Sequence, residues 1–91
     1  MFKLITTPTF DKQLRKFIHQ HPELNKKLAE LFRKLEVDPF HPSLRLHPLK
    51  GILRDMHAVS VTYSYRITLM IKLSPSEITL LDIGSHDQLY R

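Results

Sequence analysis

Two spacings of apolar residues divide the chain. Between residues 10 and 35 apolar positions recur every three or four residues, and from His57 onward they come in β-branched and aromatic runs. The first spacing belongs to helices with one buried stripe, the second to strands. "FKLIT", short and bounded by Pro8, predicts a first strand. Thr7 or Thr9 is placed to cap a helix, with Asp11 near its positive end. The stripe of that helix is Phe10, Leu14, Phe17 and Ile18, and Lys12, Arg15 and Lys16 lie off it. Pro22 suits the first turn of a second helix, whose stripe is Leu24, Leu28, Leu31, Phe32 and Leu35 and which ends at Pro39 and Pro42.

Leu44 to Leu49 is predicted as a short strand. "HAVSVTYSYRITLMIKL" is too long for one strand of a small domain, so a turn is expected near Tyr63-Ser64-Tyr65. "SPSE", Ser74 to Glu77, marks the next turn, and "ITLLDI" is the last strand, ended by Gly84. The order is β-α-α-β-β-β-β. It predicts an α+β domain with the two N-terminal helices packed on one face of a mostly antiparallel sheet.

Composition narrows the picture. The chain of 91 residues, 42% apolar, is expected to form a single domain spanning 1–91. It has no cysteine, which excludes a disulfide framework and thiolate metal sites, and the cytoplasm is the expected compartment. No stretch is long and apolar enough to span a membrane, and "MFKLITTPTF" has neither the apolar core nor the cleavage site of a signal peptide. The formal net charge is +5, and residues 1–54 hold eleven of the fourteen Lys and Arg but only five of the nine acids. A basic surface of this kind draws RNA, DNA or an acidic protein.

Three segments carry a resemblance over essentially the whole chain: "LHPLKG" before the central strands, "YSYRI" between them, and "LDIGSHDQLYR" at the end. They resemble the RelE/ParE superfamily of bacterial toxins, and within it the RelE/StbE and YafQ-like mRNA interferases. The resemblance implies a RelE-like microbial RNase fold. The implied activity is one of two: a ribosome-dependent mRNA endonuclease, or in the ParE branch an inhibitor of DNA gyrase. It also implies a cognate antitoxin laying an acidic segment over the basic surface, with operator DNA reached through the antitoxin complex. The ribosome and mRNA are the further partners of the nuclease reading, and no cofactor is implied.

Metal-independent RNA cleavage needs a base for the 2′-hydroxyl proton, positive charge for the phosphorane and an acid for the departing 5′-oxygen. Histidine suits the acid and base roles, and arginine presents a planar fork to phosphate oxygens. The resemblance assigns catalysis to His57, Arg66, His86 and Tyr90 and substrate contact to His47, and the charges of Lys50, Arg54 and Arg91 suit them as further phosphate contacts. Structural roles compete at the same positions. These are a surface pair of His86 with Asp87, a salt bridge of Arg66 with Asp82, a strand-end His57, an edge-strand His47 and a packing Tyr90. A metal site is not expected, because His47, His57 and His86 have no close spacing and no cysteine helps. His19 and His21 are expected to be solvated. The Asp-aromatic pair that YafQ-like toxins carry after the central histidine falls here on about Val61 and Thr62. A toxin that has lost catalysis but binds its antitoxin therefore stands beside the nuclease and the gyrase inhibitor.

Overall fold

The computed structural model describes residues 1–51 and 55–89. Strand β1 (Lys3–Thr6) leads into helix α1 (Pro8–Gln20). A 3-10 turn (Pro22–Leu24) runs directly into α2 (Asn25–Val37), and a second 3-10 turn (Pro42–Leu44) precedes the two-residue strand β2 (His47–Pro48). Then follow β3 (His57–Ser60), β4 (Tyr65–Leu73), β5 (Ser76–Ser85) and a terminal helical turn α3 (His86–Leu89). The strands form one sheet in the order β1-β5-β4-β3-β2, with β1 parallel to β5 and every other pair antiparallel. The α+β arrangement and the mostly antiparallel sheet are those expected.

The helices start and stop for local reasons. The Thr7 hydroxyl accepts the Phe10 N–H at 3.1 Å, which caps α1, and it donates to the Leu80 carbonyl at 3.3 Å, which ties the cap to β5. Phe10 and Phe17 of α1 are buried, as are Leu28, Leu31 and Leu35 of α2. They meet Val59, Ile67, Leu69, Ile78, Leu80 and Ile83 on one face of the sheet. The ring pairs Phe10–Phe32 and Phe17–Tyr65 are edge-on, with centroids 6.5 and 5.0 Å apart.

β1 covers β5 only as far as Leu80. Beyond it the side chain of Gln13 takes over. Its Oε1 accepts the Ile83 N–H at 2.9 Å and its Nε2 donates to Asp82 at 3.1 Å, so the free edge is satisfied by a helix.

Four local expectations are corrected. Leu44 to Leu49 is not a strand, because Leu44 ends a 3-10 turn and Arg45 is left-handed at φ 53°, ψ 44°, so only His47–Pro48 pairs. The turn between β3 and β4 lies at 61–64, closed by Val61 N–H to the Tyr65 carbonyl, and Tyr65 is already strand. His21 is not solvated, since its ring packs 4.6 Å from Phe17 and 4.8 Å from Tyr65.

The fourth correction is that Gly84 does not end the last strand. It pairs with Arg66, and β5 runs on to Ser85. Its lack of a side chain has another cause: a Cβ there would stand 2.8 Å from Gln88 Oε1. Glycine lets α3 fold down onto the strand. That turn is held by a capping box, with Gln88 N–H donating to Ser85 Oγ at 3.2 Å and Ser85 N–H donating to Gln88 Oε1 at 2.8 Å.

Candidate functional site

Side-chain alternation sends Ile67 and Leu69 of β4 to the helices and Arg66 to the opposite face. In register beside Arg66 stand Ser60 on β3 and Gly84 on β5. Both neighbours are small, so the guanidinium has space around it. No hydrogen bond or ion pair joins it to Asp82, whose carboxylate is taken by Gln13. A cleft of about 420 Å³ opens here. It is lined by Ser60, Arg66 and Ser85 of the sheet and by His86 and Asp87 at the start of α3. The turn residues Tyr63 and Ser64 and the left-handed Arg45 complete it.

The chemistry of this cleft is cationic and hydroxylic. Arg45 and Arg66 supply fixed positive charge, and Ser60, Ser64 and Ser85 supply hydroxyls. His86 has a side chain 61% exposed, with Nδ1 3.8 Å from Asp87 Oδ1. That distance is too long for a hydrogen bond. An arginine fork, hydroxyl donors and an accessible imidazole are what an anion such as a phosphodiester would meet.

The structure thus brings Arg66 and His86 together and separates the other described candidates from them. His57 pairs with Leu69 and has the same strand parity as Val59, which places it on the helix-covered side. Its Nδ1 is buried and has no hydrogen-bond partner among the described residues. His47 is not in the cleft wall. Its Nδ1 donates to the Arg45 carbonyl at 2.9 Å, so it braces the strained turn that sets Arg45 at the rim. Lys50 is exposed outside the cleft. Arg54, Tyr90 and Arg91 lie outside the described residues. Among the described residues, no group of three His, Cys, Asp or Glu is placed to hold a metal ion.

The β3–β4 turn also relocates the Asp-aromatic question. Val61, 2% exposed, belongs to the hydrophobic core, and Thr62 spends its hydroxyl on the Ser64 N–H at 3.1 Å. The residues that this turn delivers to the cleft are Tyr63 and Ser64. Reading the sequence missed Arg45, Ser60, Tyr63, Ser64, Ser85 and Asp87. One signal was present, the spacing S-x-x-Q of Ser85 and Gln88, which marks a helical turn and fixes where His86 begins.

No protein-family model and no curated protein matches the sequence. Solved structures do. A metal-bound toxin from Helicobacter pylori superposes with a TM-score of 0.83 at 28% identity, over 99% of this chain and 100% of that one. YafQ from Escherichia coli gives 0.82 at 15% identity over the whole of both chains. A YoeB/ParE toxin from Agrobacterium tumefaciens gives 0.79 at 19% identity, over 93% of this chain and 99% of that one. Likeness of this kind, across the full length of three toxins, concerns architecture. The two helices and the five-stranded sheet described above are the RelE/ParE-type toxin fold.

Proposed function

We propose that the chain is the toxin of a type II toxin–antitoxin module and acts as a ribosome-dependent mRNA endoribonuclease by metal-independent acid–base transesterification. The observation that carries this reading is the pairing of Arg66 and His86 across one accessible cleft on a toxin fold. In the reaction, the ribose 2′-oxygen attacks phosphorus as its proton leaves to a base. The bond from phosphorus to the 5′-oxygen then breaks, and an acid protonates that oxygen. The products are a 2′,3′-cyclic phosphate and a 5′-hydroxyl. Arg66 holds the non-bridging oxygens and offsets the charge that grows on them. His86 serves as acid or base, a role its solvent-reachable imidazole is placed to take. The ribosome supplies an ordered mRNA, so a small and shallow site suffices.

Similarity to YafQ in the DinJ–YafQ complex, with a TM-score of 0.80 at 17% identity, supports an antitoxin as partner for this chain too. An acidic segment would complement the basic α1–α2 surface.

The test is cleavage of a defined mRNA on translating ribosomes, with the cut ends mapped. Wild type should leave 5′-hydroxyl ends, and His86→Ala should lose cutting while keeping its thermal transition. Intact mRNA with wild type, together with blocked DNA gyrase in a supercoiling assay, would replace this reading with a ParE-like binding inhibitor.

A further inference from the structure

Tyr63 has no place in the fold's interior. It is 99% exposed at the head of the β3–β4 turn, beside a cationic cleft. A tyrosine wholly in water stabilises nothing by burial, so its apolar face is available to a ligand. The cleft also does not stop at Tyr63. A second depression of about 290 Å³ begins there and runs toward α2, and Arg45, Ser60 and Tyr63 line both. Its far wall carries Lys27 and Lys34, with Glu30 between them. Lys34 donates to Ser43 at 3.4 Å, which turns the ammonium toward this depression. Together the two depressions make one groove, from His86 past Arg66, Tyr63 and Arg45 to the lysines of α2. Cations along a groove with an exposed aromatic midway form the arrangement that binds single-stranded nucleic acid, charge following the backbone and the ring stacking on a base.

We propose that this groove holds the RNA strand beyond the cut. In this arrangement Tyr63 stacks on a base next to the scissile phosphate, Arg45 meets the following phosphate, and Lys27 and Lys34 meet those further on. The proposal rests on the nuclease reading above and adds to it the path and length of the bound strand. Stacking makes Tyr63 indifferent to base identity, so this part of the groove contributes affinity without sequence preference.

The test measures binding of the free chain to fluorescein-labelled single-stranded RNA with 2′-O-methyl riboses, which cannot be cleaved, as a trinucleotide and as an oligomer of about ten nucleotides. Tyr63→Ala should weaken both by about 5- to 150-fold, and Tyr63→Trp should restore binding. The double variant Lys27→Ala/Lys34→Ala should weaken the long oligomer only, lowering its salt slope by about 0.7 per lysine. If Arg66→Ala abolishes binding while the Tyr63 and lysine variants bind the long oligomer like wild type, the groove is overturned and the nuclease reading stands. If wild type binds neither RNA but binds a labelled acidic peptide that Tyr63→Ala releases, the groove is a protein-binding surface and the RNA path is overturned, while the ribosome assay above decides the nuclease reading separately.

Discussion

The two faces of β4 are built from alternating residues of one strand and have opposite physics. Ile67 and Leu69 are fully buried in the same hydrophobic cluster as Phe10 and Leu35 of the helices. Arg66 stands between Ser60 and Gly84, in a cleft with few apolar contacts. One face holds the fold together and the other opens on a cleft. Because the two are separated by a single position in sequence, stability and activity should respond independently to neighbouring substitutions.

The largest expected effect comes from the closed face. Ile67→Ala removes a fully buried side chain and should cost about 2–5 kcal/mol, a large part of the stability of a domain this size. Denaturant unfolding would measure it. A loss near zero would mean that the face is not packed as described. On the open face, Arg66→Ala should shift stability by no more than about 0.5 kcal/mol, yet reduce mRNA cleavage by about 100-fold or more. A matching fall in both quantities would merge the two faces and refute the contrast. The smallest and sharpest probe is Gly84→Ala. Its Cβ would displace Gln88 Oε1 and break the bond to Ser85 N–H, at about 1 kcal/mol. Amide resonances of residues 86–89 should move while those of β3 stay in place.

The same contrast explains what could be read in advance. Helices α1 and α2 were legible because their periodicity, the Thr7 cap and the proline stops all agree. β2 was overestimated because nothing in "LRLHPL" announces a left-handed arginine, a conformation that non-glycine residues rarely adopt. In the site, Arg66 and His86 could be named, but their meeting depends on the β4–β5 register, which no local pattern states. The side of the sheet that His57 takes was more accessible. It has the parity of Val59 and Val61, both core residues, and that alternation already points it toward the helices. Tyr63 was placed in the turn between β3 and β4, but a turn position does not by itself say that its ring stands beside the cleft.

The contact between the Thr7 cap and Leu80 spans 73 residues. β5, between β1 and β4, is an inner strand of the sheet and the last strand in the chain. During synthesis, therefore, β1 has no partner strand, and Gln13 of α1 no edge to clamp, until β5 has emerged. Such distant pairing makes folding slow compared with a helical bundle of equal size. It also means that a polypeptide interrupted before Ser76 lacks both the sheet's interior and the strand that carries His86 into place. The cleft therefore forms only once β5 has joined the sheet, because Ser85 and His86 enter its lining with that strand.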